Sequence, residues 1–159
     1  MGEDTLTESV WDYPRPPALQ PCGCRVRIEL GGVTVADSTA ALRVLETSHP
    51  PTIYVPPADI ARGCIKPGSG RSFCEWKGTA SYLDVVAGGR HEVRAAWTYR
   101  DPVRAYAALR DHVAFYPSRM DACWLDDELV RSQEGDFYGG WVTAALRGPF
   151  KGGPGTTGW

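Results

Sequence analysis

Only three of the 17 basic residues in this chain are lysines, namely Lys66, Lys77 and Lys151. Lys77 stands between Trp76 and Gly78. An ammonium in an aromatic setting can bind an anion or act with a lowered pKa, and it can equally be a surface lysine lying over a ring. Glu46 closes the apolar run Val44-Leu45 and precedes His49-Pro50-Pro51. A carboxylate there can act as a general base, bind a ligand amine, or satisfy backbone donors in a turn. Glu46 and Lys77 are opposite charges in apolar or aromatic surroundings, where a charge needs a partner or a ligand. His112 follows an expected helix and begins a strand, a place for either a catalyst or a satisfied structural histidine. Trp97 and Tyr99 share one face of a strand and can wall a cleft or fill a core. Tyr54, Trp76, Tyr82 and Lys151 complete the candidate ligand contacts. Mostly apolar pockets with a few convergent polar groups are the usual form of small-molecule sites.

The cysteines invite a metal reading and then argue against it. Cys22 and Cys24 form Cys-x-Cys, while Cys64, Cys74 and Cys123 follow singly. Structural zinc usually takes two Cys-x2-Cys pairs, so these residues read as reduced thiols and no metal or cofactor is expected. Five cysteines in a chain of this size also make a secreted disulfide framework a poor reading. The tail has only a superficial likeness to a phosphate loop, because Lys151 precedes Gly152-Gly153 where the motif needs Gly-Lys-Ser/Thr opening a helix. Backbone amides of Gly152 to Thr156 could form an anion-binding nest. Alternatively the tail packs over the domain, pinned by Phe150 and Trp159.

The elements that must position these residues are short strands. Arg25 to Leu30 alternates polar and apolar, Gly31-Gly32 follows, and Val33 to Ala36 resumes the extended pattern, which predicts a hairpin. Thr79 to Val86 and Glu92 to Tyr99 flank Gly88-Gly89 and predict a second hairpin. Thr52 to Val55 is bracketed by Pro-Pro pairs and reads as a strand with sharply set ends. Val113 to Tyr116, Ala122 to Leu125 and Glu128 to Val130 are three further strands, the last two joined at Asp126-Asp127. Ala40 to Glu46 is ambiguous, since its residues are good helix formers but the run is short. Gly68 to Arg71 reads as a turn, Ala58 to Gly63 as one helical turn, and Pro102 to Leu109 as a short helix. No segment keeps a 3.6-residue period for long, so no helix longer than about three turns is expected.

This punctuation predicts a mainly β, antiparallel meander with one or two short helices. The expected organisation is an extended aromatic and proline arm over residues 1–21, a β domain over 22–147 and a Gly/Pro-rich tail over 148–159. A formal net charge of −2, with basic residues scattered among acids, speaks against nucleic-acid binding. No run approaches the roughly 20 apolar residues of a membrane span, and no targeting segment is visible. The expected compartment is the cytoplasm.

Long motifs point further. Gly32-Val-Thr-Val-Ala-Asp-Ser38, Val44-Leu-Glu-Thr-Ser-His-Pro-Pro51, Trp76-Lys-Gly-Thr-Ala-Ser-Tyr82, Ala96-Trp-Thr-Tyr99 and Phe137-Tyr-Gly-Gly-Trp141 with Gly148-Pro-Phe-Lys-Gly-Gly-Pro-Gly-Thr156 resemble the bacterial family known as domain of unknown function 427. The resemblance runs from about Trp11 to Trp159 and implies a β-tent-like fold, shared with methionine sulfoxide reductase B and the imide-binding domain of cereblon. Family members are sometimes labelled nucleotidyltransferase-like, but that chemistry needs metal-binding acids near a phosphate loop. Here Asp126-Asp127-Glu128 reads as a hairpin turn. Relatives of the fold often bind zinc through Cys-x2-Cys pairs, which this chain lacks. For redox chemistry like the reductase's, Cys74 would be the placed cysteine. Two functions remain. One is a small-molecule-binding or catalytic β domain with an aromatic cleft holding the Glu46/Lys77 pair. The other is a non-catalytic interaction module or homodimer that uses the arm and the tail.

Overall fold

Two glycine pairs organise the molecule. The structure is a computed structural model that describes residues 7–135, 137–156 and 159. The first six residues of the arm and Thr157 and Gly158 of the tail lie outside the described residues. The strands are β1 (Glu8–Ser9), β2 (Ala18–Pro21), β3 (Val26–Leu30), β4 (Val33–Ser38), β5 (Leu42–Leu45), β6 (Thr52–Val55), β7 (Ile65–Cys74), β8 (Gly78–Ala87), β9 (Arg90–Thr98), β10 (Val113–Phe115), β11 (Ala122–Leu125), β12 (Glu128–Leu129), β13 (Arg131–Ser132), β14 (Trp141–Val142) and β15 (Leu146–Arg147). Gly31-Gly32 turns β3 into β4, and Gly88-Gly89 turns β8 into β9, all four glycines at positive φ. The two turns also touch. A Cβ on Gly88 would overlap the Gly31 carbonyl, so glycine is required there for close backbone approach as well as for φ.

The main sheet has seven strands in the order β2-β5-β6-β10-β9-β8-β7, and a second has four in the order β12-β11-β3-β4. Among the described residues every ladder is antiparallel except the β1–β15 pair, which is parallel. The protein is mainly β, and its described helices are 3-10 turns of three to six residues. No described helix is long and apolar enough to cross a membrane.

The period of two sorts side chains between two cores. Val26, Ile28 and Leu30 of β3 face inward against Ile53 and Val55 of β6, Val85 of β8, and Val113 and Phe115 of β10. Trp141 is buried in the same core and donates from its Nε1 to the Phe115 carbonyl at 3.2 Å. The opposite face of the main sheet carries the aromatic residues, in a second cluster of Tyr54, Tyr82, Trp97, Tyr99 and Tyr116.

Several local expectations change in the fold. Ala40 to Glu46 contains strand rather than helix, because β5 is paired on both sides, with β2 and with β6. Gly68 to Arg71 is no turn. It lies inside β7 as a bulge, where the register passes from Pro67↔Leu83 to Arg71↔Ser81. Close packing explains the glycine, since a Cβ on Gly68 would lie 2.8 Å from Asp84 Oδ1 and 3.0 Å from the Tyr82 carbonyl. Such a bulge also roughens an exposed sheet edge. The expected helix at Pro102 to Leu109 is a kinked 3-10 turn over Arg104–Leu109. The turn near Ala58 is limited to Pro57–Asp59. Strands β7, β8 and β9, at nine or ten residues, are longer than short-strand punctuation suggests.

Arm and tail pack together on the domain. β2 is an edge strand of the main sheet, and Val10, Tyr13 and Leu45 form a small core with Phe150 against it. The Trp11 and Trp159 rings meet edge to face at 5.2 Å, and Trp11 Nε1 donates to the Pro149 carbonyl at 2.8 Å. Gly152 donates its amide to Thr156 Oγ1 at 3.0 Å, so that amide is already engaged within the tail.

Candidate functional site

The aromatic floor is made by register. Ala114 of β10 lies opposite Tyr54 of β6 on one side and Trp97 of β9 on the other, and Trp97 lies opposite Tyr82 of β8. Tyr54, Ala114, Trp97 and Tyr82 therefore form one row across four strands. The small Ala114 lets its two large neighbours meet above it. Trp97 Nε1 donates to Tyr54 Oη at 3.2 Å, with the two rings nearly perpendicular at 89°. Tyr99 stands two residues further along the same face, 6.3 Å from Tyr54 between ring centres. Tyr116 closes the row, 4.7 Å from Trp97.

The loop between β5 and β6 brings the polar groups. Ser48 is fully buried with φ 72°, an unusual conformation for a residue with a side chain. Bonds hold it at both ends: its amide donates to the Val10 carbonyl at 3.0 Å, and its carbonyl accepts the Lys151 amide at 2.8 Å. The arm and the tail thus set the path of the loop. That path turns Glu46 and His49 toward each other, with Glu46 Oε2 3.7 Å from His49 Nε2 and 3.4 Å from Arg15 Nε. Gln133 reads the other side of the imidazole. Its Nε2 lies 3.4 Å from His49 Nδ1 and donates to the Lys151 carbonyl at 2.6 Å, while its Oε1 accepts the Gly140 amide. With Nδ1 accepting from an amide, the ring proton of neutral His49 belongs on Nε2, facing Glu46.

These groups surround a cavity of about 250 Å³. Glu46, Tyr54, Trp76, Lys77, Tyr82, Trp97, Tyr99 and Lys151 all line it. His112 does not. The chain turns at Asp111, φ 60°, and the His112 ring folds back with Nδ1 3.2 Å from the Arg110 carbonyl. Arg15, His49, Cys74, Tyr116 and Tyr138 join the lining without having been singled out as ligand contacts from the sequence. His49 carried a signal, since it stands within the Glu46-to-Pro51 motif. Arg15 carried none, because only the fold carries the arm to the loop. Phe73 and Phe137 are 74% and 55% exposed and stand at the rim of the same cavity.

Lys77 is the chemical centre. It is 9% exposed, its Nζ lies 5.9 Å from the centre of the Tyr99 ring, and among the described residues no carboxylate is within 4.0 Å of it. Burial by itself would lower its pKa; against that, Glu46, a hydrogen bond with Cys74, and negative charge on Tyr54 or Cys74 once those groups ionise raise it, and the balance lies above its ordinary value. The side chain therefore stays an ammonium at neutral pH. Burial pushes the Tyr54 and Tyr99 hydroxyls up, so both remain neutral phenols. His49 is lowered to about 4, first by burial and then by the charges of Lys151, Arg15 and Lys77. At neutral pH the site offers cations at Arg15, Lys77 and Lys151, and an N–H on an uncharged imidazole. Acids are present at Glu46 and at Glu75. Among the described residues no group of three metal-ligating side chains converges. Asp126 and Asp127 form the β11–β12 turn, where Asp126 Oδ1 accepts the Arg25 amide at 2.9 Å. A second depression of about 430 Å³ lies beside Ile60, Leu83 and Val113, with Arg100 and Asp111 among its lining residues.

Comparison with known proteins places the chain in a family. A family described as domain of unknown function (DUF427) matches residues 18–126, and the chain belongs to it. No curated protein matches the chain.

Proposed function

We propose that this member of the DUF427 family binds a small organic anion with a flat, apolar body. One observation carries the reading: Lys77 is a buried ammonium lining a cavity, without a carboxylate at ion-pairing distance among the described residues. Burying an ammonium costs several kcal/mol unless an opposite charge and hydrogen bonds repay it. The Tyr99 ring face offsets part of that cost. An anionic ligand supplies the rest. The rings of Tyr54, Trp97, Tyr99 and Tyr116 offer apolar faces for the body of the ligand, and their polar edges limit its orientation. The cavity volume suits a small metabolite. Exposed Phe73 and Phe137 suit an apolar portion that reaches the mouth. The five free thiols suit the reducing cytoplasm.

The test is a thermal-shift screen followed by calorimetry. Aromatic carboxylates and aryl phosphates are compared with neutral amides of the same shape, on the wild type and on Lys77→Met. Anions are expected to raise the Tm, the neutral analogues to leave it unchanged, and Lys77→Met to lose the shift. Equal binding of neutral analogues, or a full shift in Lys77→Met, overturns the reading.

A second reading is a protein-interaction module or homodimer. It draws on Phe73 and Phe137, large apolar side chains exposed at one rim. Light scattering across a hundredfold range of concentration separates the two, since Phe73→Ser breaks a dimer built on that rim.

A further inference from the structure

Cys22-Gly23-Cys24 is the corner at which the chain leaves the main sheet at β2 and enters the second sheet at β3. Its Cys-x-Cys spacing is not the Cys-x2-Cys of a structural zinc half-site. In the fold no third ligand joins it among the described residues. Instead the two sulfurs lie 2.8 Å apart. Gly23 makes this possible with φ 76°, a conformation that a side chain would strain, although open space surrounds its Cα. The Cys22 amide is anchored to the Ala41 carbonyl at 2.9 Å, which holds the corner in place. Both thiols are partly exposed, whereas Cys64 and Cys123 are buried. A disulfide has sulfurs about 2.05 Å apart, so a movement of under about 1 Å joins this pair.

We propose that Cys22 and Cys24 form a reversible dithiol–disulfide site that exchanges with low-molecular-weight disulfides of the glutathione class. A hydrogen bond between the two sulfurs, in which either can donate, holds the Cys22 thiol below its ordinary range against the effect of burial, with Arg43 pulling the same way and Asp126 opposing. The same bond, together with burial, pushes Cys24 up. Whichever of the two ionises attacks and its neighbour resolves. With Cys22 attacking, the first step brings its thiolate onto one sulfur of the disulfide. The S–S bond of the small molecule breaks, one thiolate leaves, and a mixed disulfide forms on Cys22. In the second step Cys24 gives its proton to the departing thiolate and attacks the Cys22 sulfur. The mixed disulfide breaks and the Cys22–Cys24 bond forms. The protein loses two electrons and two protons, and the small disulfide becomes two thiols. The site lies apart from the anion cavity, whose lining includes neither cysteine, so it stands or falls independently of that reading.

The experiment uses the full-length reduced protein in glutathione buffers of increasing oxidised fraction, quenched by alkylation and read by peptide mass. The tryptic peptide ending at Arg25 holds both cysteines and no other. It is expected to become resistant to alkylation and to lose two hydrogens as the buffer is oxidised, and to recover on reduction. Cys24→Ser is expected to trap one glutathione on Cys22, and Cys22→Ser one on Cys24. Full alkylation of both thiols in the most oxidised buffer overturns the site. Failure of both variants to trap glutathione overturns the exchange.

Discussion

Acidification tests the electrostatics of the site through His49. Burial and three nearby cations hold its folded-state pKa at about 4, against 6.5 for the free side chain. Between these values the unfolded chain binds the proton and the folded chain does not, so protons favour unfolding. The stability is fully present above pH 6.5, falls as the pH drops toward 4, and loses nothing more from this group below that. A difference of 2.5 units at about 1.4 kcal/mol each gives a loss of about 3 kcal/mol across the window. That is a large share of the roughly 5–15 kcal/mol that stabilises a typical domain. Glu8, Asp37 and Asp84 also have lowered pKa values, but they titrate below their ordinary values of 3.8 to 4.5. The slope between pH 6.5 and 4.5 therefore belongs mainly to His49. Urea unfolding of the wild type and of His49→Gln at several pH values measures it, because His91 and His112 are common to both proteins and cancel. The wild type is expected to lose about 2–3 kcal/mol more than the variant between pH 6.5 and 4.5. An NMR titration of the His49 ring checks the midpoint directly. A midpoint near 6.5, or parallel stability curves, refutes the reasoning.

Lys77→Met is expected to change stability by no more than about 1 kcal/mol, because Glu46 keeps Arg15 at 3.4 Å and the charge removed has no carboxylate at ion-pairing distance among the described residues; a loss of several kcal/mol in thermal unfolding would show that Lys77 is a structural partner. Gly88→Ala is expected to cost about 2–4 kcal/mol through overlap with the Gly31 carbonyl, whereas Gly89→Ala, with nothing near its Cβ, costs only the roughly 1–2 kcal/mol of left-handed strain. Equal costs in chemical denaturation would refute tip-to-tip contact of the hairpins. Gly139→Ala puts a Cβ 2.7 Å from the Trp97 ring, and is expected to shift tryptophan emission and to weaken anion binding together. An unchanged spectrum would show that the loop yields instead.

Parts of this protein were legible over a few residues at a time. The Gly31-Gly32 and Gly88-Gly89 hairpins follow from turn chemistry between extended runs. The inward Val26, Ile28 and Leu30 follow from strict alternation, and the shared face of Trp97 and Tyr99 follows from the period of two. Lys77 stood out because lysine is scarce and its neighbour is aromatic. Its burial did not, because burial depends on what folds over it. The β7 bulge was not legible for a similar reason: glycines that admit a turn also admit a close approach, and only the neighbouring strand decides which. His112 has the residue type of a site group but sits past a turn that takes it elsewhere.

The sequence by itself determined the mainly antiparallel β class, its two main hairpins and most of the chemical groups in the cavity. Only the tertiary structure decided which of them meet. Tyr54 and Trp97 become neighbours because β10 lies between β6 and β9 and presents Ala114 there. Arg15 reaches Glu46, and Lys151 reaches Ser48, because the arm and the tail close over one loop. The physical reason is one of range. Turn preference and side-chain alternation act between residues adjacent in the chain, whereas strand order, register and burial are set by contacts among segments tens of residues apart.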